Sequence, residues 1–229
     1  MRVDKVEELS VFLPAYNEEQ NILKVIKNVK EVLKKIAKNY EIIVVDDGSI
    51  DRTAEEVLKI RDVRLISHQR NLGYGAALKS GLSNSRYELI VFIDADLQFD
   101  FKEINKFLDY IEDYDLVIGF RKSRADKLVR KLNARIYSLL LNLIFNLNVR
   151  DVDCGFKLVR REIFKEIKLE SDGALISAEL LIKARKKGFR IKEIEVSHFP
   201  RILGKQTGAN PKVILKTFFE IIKLRRGLN

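Results

Sequence analysis

The sequence predicts an α/β fold built on a mostly parallel central sheet with helices on both faces. Short β-rich runs alternate with helical patterns through the first half of the chain. The apolar runs at 42–45 and 89–93 are continuous rather than alternating, which is typical of strands buried on both faces. Repeated β-α-β units of this kind place their strands side by side and parallel.

The elements follow one another in a regular order. Five strands are expected at 9–13, 41–47, 63–67, 87–94 and 115–119. Helices are expected between them, at 18–38, 51–60, 73–85 and 101–114. The first helix is the clearest, because its apolar residues recur at helical spacing from Ile22 to Ile36. The second half is richer in helix, with helices expected near 126–147, 161–167, 177–187 and 211–226 and a strand at 190–199.

The composition fits one folded domain. The chain has 229 residues, of which 46% are hydrophobic, and only 3 Pro and 11 Gly, with no Pro/Gly/Ser-rich linker between its halves. The single Cys154 excludes an internal disulfide, which is typical of proteins from a reducing compartment.

The positive charge is concentrated in two stretches. The net charge is +10; residues 120–135 hold seven Lys/Arg and one Asp, and residues 212–229 hold five Lys/Arg and one Glu. A localised positive surface indicates an anionic partner such as nucleic acid, anionic lipid or a phosphorylated substrate, although a solvated ionic surface is the alternative. We expect no nucleic-acid partner, because Phe120 is the only aromatic residue within the first stretch.

A dinucleotide-dependent oxidoreductase is also disfavoured by the glycine pattern. The run GYGAAL at 73–78 superficially matches the start of a dinucleotide-binding motif. It lacks the third glycine of that motif, and it follows the third expected strand rather than the first.

Polar residues follow nearly every expected strand of the first half. They occur at 14–18, 46–49, 68–75, 94–98 and 119–121. In open parallel sheets, ligands bind beyond the carboxyl ends of the strands, so these polar clusters are expected to share one edge of the sheet.

The most informative of these clusters is the pair Asp94 and Asp96. Two carboxylates held so close repel each other unless a cation lies between them, and Mg²⁺ or Mn²⁺ suits that position and keeps sites open for phosphate oxygens. Gln98 adds a neutral oxygen to this set. The alternative is structural: Asp96 or Asp100 caps a helix that begins near residue 101.

Five motifs together resemble a known family. FLPAYNEEQNI, VVDDGSIDRT, NLGYGAALKSG, FIDADLQFD and DVDCGFKLVRR, in this order, are similar to family 2 glycosyltransferases of GT-A fold. Within that family the chain resembles the polyprenol-phosphate sugar transferases, such as the dolichol-phosphate mannose synthases, over about residues 8–208. The resemblance implies a nucleotide-sugar-binding half at 1–120, an acceptor half at 121–210 and a C-terminal basic amphipathic helix at 211–229, all in one domain.

The resemblance also implies a donor site for a nucleoside diphosphate sugar of the GDP-mannose or UDP-glucose type. Asp94, Asp96 and Gln98 are expected to hold Mg²⁺ or Mn²⁺ on the diphosphate. The nucleotide is expected to contact residues of the exit loops and of the glycine-bearing loop, namely Pro14, Ala15, Tyr16, Glu18, Asp46, Asp47, Ser49, Gly73, Lys79, Asp94 and Ala95.

The family transfers its sugar by direct displacement with inversion, so the acceptor must be nucleophilic. A polyprenyl phosphate is already anionic near neutral pH and needs only cations to hold it, for which the resemblance implies Arg121, Arg130 and Arg201. A glycan or protein hydroxyl needs a general base, for which Asp153 and Glu179 are the candidates. Glu179 is alternatively a favourable charge in the first turn of a helix.

One segment departs from the lipid-phosphate transferases. After His198 and Arg201, those proteins carry a Ser-Lys pair where this chain has Gln206-Thr207, and the nearby cation is Lys205. The departure leaves both acceptor classes open. His198 and His68 are expected to be structural.

A membrane surface is a further expected partner. The N-terminus lacks a signal peptide pattern and no segment reaches about 18 apolar residues, so we expect a cytoplasmic protein, at most peripheral on the cytoplasmic face of the membrane. Residues 128–147 and 213–227 read as basic amphipathic helices that suit an anionic interface. The alternatives are that both pack on the core or that a membrane partner protein provides attachment.

Overall fold

The computed structural model describes residues 6–123, 128–203, 220–221 and 224–225, and the side chains of 128–131 lie outside this description. A seven-stranded sheet forms the centre of the described chain, in the order β3-β2-β1-β4-β6-β5-β7. The strands are β1 (Val6–Ala15), β2 (Ala37–Asp46), β3 (Arg64–Ser67), β4 (Leu89–Phe92), β5 (Leu116–Arg121), β6 (Lys157–Arg160) and β7 (Ile191–Val196).

The helices lie on both faces of this sheet. They are α1 (Ile22–Ile36), α2 (Thr53–Leu58), α3 (Tyr74–Asn84), α4 (Ile104–Leu108), α5 (Leu128–Phe145), α6 (Ile163–Glu166) and α7 (Ile176–Lys186), with a 3-10 helix at Phe101–Glu103. Within the described residues, none of these helices combines the length and the apolar stretch needed to cross a bilayer.

The predicted α/β architecture is confirmed. Strands β3, β2, β1 and β4 run parallel, and β1 and β2 pair over almost their whole length. The continuous apolar runs of β2 and β4 are buried, as expected for strands covered on both faces. One core cluster joins the sheet to α1 and α4, and a second joins its other face to α3, α5 and α7.

Strand β6 was not predicted, and it makes the sheet mixed. It lies between β4 and β5 and pairs antiparallel with both, while β5 and β7 pair parallel. The run KLVR is only four residues long and has a charge at each end, so it lacks the pattern of a central strand. Lys157 is nevertheless fully buried there.

Two helix predictions differ from the structure. The helix expected over 101–114 is a 3-10 turn followed by the five residues of α4, so its last residues are turns instead. The helix expected over 211–226 falls mostly outside the described residues; of that range, 220–221 and 224–225 are described and are helical.

Helix α3 lies very close to β1, and a glycine makes this approach possible. A Cβ at Gly81 would lie 2.3 Å from the ring of Phe12. Phe12 is fully buried and stacks on Phe92 of β4 with their ring centroids 5.4 Å apart, so its ring has little room to move. This packing sets the start of α3 near the end of β4.

We expect Gly81→Ala to destabilise the protein by about 1–3 kcal/mol, because the methyl group overpacks the Phe12 contact. Helix propensity alone predicts the opposite sign, since Ala is favoured over Gly within a helix. Chemical denaturation of the wild type, Gly81→Ala, Phe12→Leu and Gly81→Ala/Phe12→Leu measures the effect. Gly81→Ala should cost less stability in the Phe12→Leu background than in the wild type, because the smaller Leu leaves room for the methyl group. Ser83→Ala, at an exposed position of the same helix, is the matched control. A stabilised Gly81→Ala protein would contradict this packing.

Candidate active site

Three carboxylates from two exit loops lie together, and one arginine pairs with two of them. Glu18 follows β1, and Asp94 and Asp96 follow β4. Arg201 donates from Nη2 to Glu18 Oε1 at 2.6 Å and from Nη1 to Asp96 Oδ2 at 3.3 Å. The arginine thus brings a residue from beyond β7 onto the edge of the sheet that carries the acidic pair.

The loop after β4 is held in a tight conformation. Leu97 has a φ of 62°, in the left-handed region that a residue with a branched side chain rarely adopts. Within the same turn the backbone N–H of Gln98 donates to Asp96 Oδ1 at 3.1 Å, and Gln98 Nε2 donates to the carbonyl of Phe199 at 3.0 Å. These bonds fix Asp96 and connect its loop to the segment that carries Arg201. Backbone strain of this kind is concentrated at functional sites.

Burial makes negative charge costly at this cluster. It raises the pKa of Asp96 to about 7, with the neighbouring charge of Asp94 as the next cause. Burial also raises the pKa of Asp94 and of Glu18. Tyr74 at the start of α3 opposes the shift by donating from Oη to Asp94 Oδ1 at 3.1 Å, which favours the ionised carboxylate.

The acidic pair fits a divalent cation that is shared with a phosphorylated ligand. Ionised Asp94 and Asp96 would be stabilised by a nearby positive charge, and hard cations prefer carboxylate oxygens. Among the described residues, no three His, Cys, Asp or Glu side chains form a complete protein cage for a metal. Two carboxylates with open positions are the donor set expected where water and phosphate oxygens complete the coordination of Mg²⁺ or Mn²⁺.

A turn formed by residues 151–155 packs directly against this pair. A Cβ at Gly155 would lie 2.0 Å from Asp94 Oδ2, so only glycine allows the turn to come so near. Lys157, at the start of β6, donates from its ammonium group to the carbonyl of Cys154. Burial lowers the pKa of Lys157, and its charge in turn favours ionised Asp94.

The other end of the same turn holds Arg121. Arg121 Nε and Nη2 donate to the two oxygens of Asp151 at 2.6 and 2.7 Å, and its backbone N–H donates to Asp151 Oδ2 at 3.0 Å. This two-point pair is nearly buried, so the planar guanidinium has one fixed orientation. The turn 151–155 therefore links Arg121 at one end to Asp94 at the other.

A cavity of about 620 Å³ opens beside Arg121, between the end of β5 and α5. Four cationic, two acidic and four uncharged residues line it: Arg121, Lys122, Arg135 and Arg150; Asp151 and Glu195; Phe120, Ser123, Ala134 and Ser138. Arg150 is fixed there, since its guanidinium lies 3.6 Å from the centre of the Phe120 ring. Three of these cations pair with carboxylates: Arg121 with Asp151 at 2.6 Å, Lys122 with Glu195 at 3.1 Å and Arg150 with Glu193 at 3.1 Å. The lining itself still holds two more cationic than acidic residues, which suits an anionic group.

The expected nucleotide-binding residues form a second hydrogen-bonded group. Asp47 accepts from the backbone N–H groups of Leu72 and Gly73, both at 2.9 Å, and lies 2.7 Å from a ring nitrogen of His68. Asp47 therefore holds the glycine-bearing loop against the end of β2. Asp46 is buried and accepts from the backbone N–H of Ser49 at 3.1 Å.

The first exit loop completes this group. Pro14 and Ala15 are buried at the end of β1, and Tyr16 is half-buried beside them. Ser49 Oγ accepts from the backbone N–H of Asn17 at 2.8 Å, which ties this loop to the loop after β2. Ala95 is buried between the two aspartates of the acidic pair.

Two expected site residues make other contacts. Lys79 pairs with Asp172 at 2.5 Å instead of facing the acidic pair. Glu179 accepts from the backbone N–H groups of Glu170 and Ser171 at 2.9 and 2.8 Å. Burial alone would raise the pKa of Glu179, but its hydrogen bonds from Lys183 and from this loop lower it. Both residues hold the loop at 170–172 on the start of α3.

Of the two remaining predicted residues, the structure describes the side chain of Asp153 but not that of Arg130. Asp153 is exposed on the turn 151–155, between Asp151 and Gly155. The side chain of Arg130 lies outside the described residues. Sequence reasoning did not select Tyr74, Arg135, Ser138, Arg150 or Lys157. The spacing of Arg135 and Ser138 on one helix was the available signal for the cavity. Tyr74 and Lys157 lie within two of the five quoted motifs, but nothing in those motifs singled out their side chains.

The sheet and its acidic exit loops define a glycosyltransferase of GT-A fold. The model of the family described as "Glycosyl transferase family 2" matches residues 10–168, and the chain belongs to this family. It is 32% identical over 229 residues to a dodecaprenyl-phosphate galacturonate synthase from Rhizobium johnstonii, covering 95% of this chain and 65% of that protein. It is 31% identical to an undecaprenyl-phosphate 4-deoxy-4-formamido-L-arabinose transferase from Pectobacterium atrosepticum, covering 70% of this chain and 51% of that one. The chain thus spans between half and two thirds of these two relatives.

Solved structures share the fold. Glucosyl-3-phosphoglycerate synthase from Mycobacterium tuberculosis superposes with a TM-score of 0.71 at 25% identity, over 93% of this chain and 80% of that one. A complex of the same enzyme with Mn²⁺, UDP-glucose and phosphoglyceric acid superposes with a TM-score of 0.67 at 24% identity, over 86% and 73% of the two chains.

We expect Asp96→Asn to stabilise the protein in EDTA at alkaline pH. The pKa of Asp96 is raised from its ordinary 3.8 to about 7, so its contribution to stability is complete at low pH and is lost as pH rises through about 7. Since Asn does not ionise, the gain should grow from near zero at about pH 4 to about 1–4 kcal/mol above pH 7. Denaturation of both proteins across this range measures it.

Asp109→Asn is the matched control, because Asp109 is exposed in the turn after α4. Its stability difference from wild type is measured over the same pH range, so that any dependence specific to the buried site is identified. A pH-independent effect of Asp96→Asn would mean that burial does not oppose the charge on Asp96.

We expect Tyr74→Phe to weaken Mn²⁺ binding about tenfold, because the ionised form of Asp94 loses a hydrogen bond. The spectroscopic signal of free Mn²⁺ during titration measures the affinity without any transfer assay. Tyr110→Phe, at a tyrosine that is 36% exposed and whose ring contacts Tyr114, is the control. Unchanged Mn²⁺ affinity in Tyr74→Phe would show that Tyr74 does not orient a metal ligand.

Proposed function

We propose that the protein transfers a sugar, with inversion, from a nucleoside diphosphate sugar to the phosphate of a polyprenyl phosphate. One observation carries this proposal: the turn 151–155 joins the acidic pair to the basic cavity. An acidic pair suits a metal-bound diphosphate, and a basic cavity suits a second phosphate. A transferase for a phosphate acceptor needs these two sites side by side.

The donor half of the site binds the nucleotide and orients the diphosphate. Tyr16, Asp46 and Ser49 line the exit loops where the base and ribose are expected, while Asp47 shapes the loop beside them. Asp94 and Asp96 would hold a divalent cation, whose charge stabilises the negative charge that develops on the leaving diphosphate. The two preferred ions are Mg²⁺ and Mn²⁺.

In the acceptor half, the phosphate of the acceptor is the nucleophile, and no general base is needed. An oxygen of the acceptor phosphate forms the new bond to the anomeric carbon, and the bond to the diphosphate breaks with its electron pair on the leaving group. Because the phosphate is already anionic, no proton has to be removed. Arg135 and Arg150 would supply cations to the phosphate, Arg150 while it also pairs with Glu193 at 3.1 Å. Asp151 keeps the guanidinium of Arg121 in a fixed orientation.

We propose a different role for Arg201, at the donor diphosphate. It neutralises Glu18 and Asp96 through ion pairs of 2.6 and 3.3 Å. A diphosphate that arrives with its cation offers Arg201 phosphate oxygens in place of these carboxylates. Arg201 would then bind the diphosphate in place of Glu18 and Asp96.

The named relatives support this acceptor class. The synthase from Rhizobium johnstonii and the transferase from Pectobacterium atrosepticum both carry polyprenyl phosphates in their names. A polyprenyl phosphate resides in a bilayer, so we place the protein at a membrane surface, on the cytoplasmic face where nucleotide sugars are available. A membrane partner protein is an alternative means of attachment.

A glycan or protein hydroxyl is the second candidate acceptor. Asp153 favours it, since this exposed carboxylate lies on the turn between the acidic pair and the cavity, where a base would be needed. Glu179 is less suited to that role, because both of its oxygens accept from the backbone of the 170–172 loop.

The donor site is tested first, by thermal shift with GDP, UDP, GDP-mannose and UDP-glucose, each with Mn²⁺, Mg²⁺ or EDTA. A ligand at 100 times its Kd should stabilise the folded protein by about 2.7 kcal/mol. One nucleotide should stabilise the wild type only with metal, and Asp96→Ala should abolish the effect. Absence of any shift across the panel would remove the basis for the donor site.

The acceptor class is then decided by substrate and variant together. We expect transfer to polyprenyl phosphate and none to the phosphate-free polyprenol, with Asp153→Asn retaining most of its activity. Loss of activity in Asp153→Asn, together with transfer to a hydroxyl acceptor, would replace the first proposal by the second.

We expect Arg135→Gln to raise the KM for polyprenyl phosphate by about tenfold, because the cavity loses a charge-assisted hydrogen bond to phosphate. The KM for the donor should not change, since Arg135 lies on the cavity side of the turn. Steady-state kinetics with each substrate varied in turn measures both constants. Arg185→Gln, at an exposed position of α7, is the control. Equal loss for donor and acceptor would contradict the separation of the two sites.

A further inference from the structure

Helix α5 presents an unusual apolar surface. Five large side chains on this helix, here called the α5 ridge, are each between 41 and 75% exposed: Leu132, Ile136, Leu139, Leu140 and Leu143. Scattered exposed apolar residues are ordinary, but a contiguous group on one helix marks an interaction surface. At about 100° per residue, the five lie within one stripe roughly 100° wide.

The ridge is separate from the face of α5 that packs on the core. The opposite side of α5 packs inward through Leu141, which is fully buried, and through Tyr137 and Ile144 in the second core cluster. The inner apolar face of the helix is therefore already buried against the core. A second apolar stripe on the outer face needs an occupant of its own.

Charge indicates what that occupant is. Helix α5 contains no Asp or Glu, and its three basic residues all lie in its first half, ahead of a mostly apolar second half that carries no charge. Arg135 is exposed and borders the ridge on the side that faces the cavity, where Lys122 and Arg150 also lie. An apolar stripe with a basic flank suits the interface of a bilayer that contains anionic lipids. A second copy paired through the same stripe would bring like charges together.

We propose that the α5 ridge inserts into the interfacial region of an anionic bilayer and holds the mouth of the basic cavity at the lipid surface. Successive positions around the helix pass from the ridge to Arg135 and then to Ser138, which lines the cavity. A lipid phosphate in the same leaflet therefore reaches the cavity past Arg135 without leaving the membrane. The proposal deepens the proposed function and rests on it only for the identity of the acceptor.

The absence of tryptophan provides a direct measurement. The chain contains no Trp, so Leu143→Trp and Leu58→Trp each create a single reporter. Leu58 is a suitable control, because it is 72% exposed on α2 and Leu143 is 75% exposed on α5. Vesicles of phosphatidylcholine with phosphatidylglycerol should shift the emission of Leu143→Trp to the blue and allow its quenching by brominated acyl chains. The emission of Leu58→Trp should not change.

Binding itself is measured by sedimentation with the same vesicles, which contain no polyprenyl phosphate. Leu139→Gln/Leu143→Gln should reduce the partition coefficient by at least about tenfold, because two apolar side chains no longer enter the interface. Leu23→Gln/Leu58→Gln makes the same chemical change at two exposed leucines of α1 and α2 and should bind as wild type does. Binding should also weaken with salt and with vesicles of phosphatidylcholine alone.

Three results would overturn the proposal. One is the absence of a blue shift in Leu143→Trp with anionic vesicles, and another is equal loss of binding in both double variants. The third is a blue shift without vesicles that grows with protein concentration and matches dimer formation in analytical ultracentrifugation, which would assign the ridge to a second copy.

Failure of this proposal is distinguishable from failure of the proposed function. Transfer to a short-chain, water-soluble prenyl phosphate tests the acceptor chemistry without a membrane. The Leu139→Gln/Leu143→Gln variant should keep the wild-type rate with this soluble acceptor and lose at least about tenfold with long-chain acceptor in vesicles. Equal rates with the vesicle acceptor would also overturn the role of the ridge.

Discussion

The site depends on the cost of placing several carboxylates where water is scarce. Glu18, Asp94 and Asp96 lie at the edge of a buried sheet, and burial raises the pKa of each. Such a cluster is stable only if cations or hydrogen-bond donors face it. Arg201 and Tyr74 do so directly, through an ion pair and a hydrogen bond. The same need for positive charge is the physical basis for our proposal that the cluster receives a diphosphate together with a metal ion.

The antiparallel strand β6 is the means by which the two halves of the site come together. It enters the sheet between β4 and β5 and thereby places the turn 151–155 between Asp94 and Arg121. Gly155 allows the closest approach of that turn to Asp94. Lys157 anchors it from within the sheet, through the carbonyl of Cys154. A parallel strand at the position of β6 would need a long crossover connection. Such a connection would not place a tight turn against both Asp94 and Arg121.

Much of the architecture followed from local pattern. The apolar periodicity of α1 predicted a helix. The continuous runs of β2 and β4 predicted buried strands because they are short, rich in β-branched residues and followed by polar loop residues. The exit-loop carboxylates could be grouped from the topology alone, because parallel strands end at a common edge. Strand β6 could not be predicted, because a buried lysine removes its apolar pattern. The contact from Tyr74 to Asp94 joins residues twenty positions apart and depends on how α3 packs on β1.

The sequence by itself determined the α/β class, the family resemblance and the acidic pair, because these depend on periodicity and on short motifs. Only the tertiary structure decided which candidate carboxylates are bonded to backbone N–H groups and which lie together in the acidic cluster. Asp47 and Glu179 are carboxylates in promising positions, yet backbone N–H groups of neighbouring loops take their oxygens. The roles that we propose for Arg135 and the α5 ridge could be inferred only because the structure places the cavity beside them. The physical reason is that a side chain's role is set by what desolvates it and what pairs with it, and both come from distant parts of the chain.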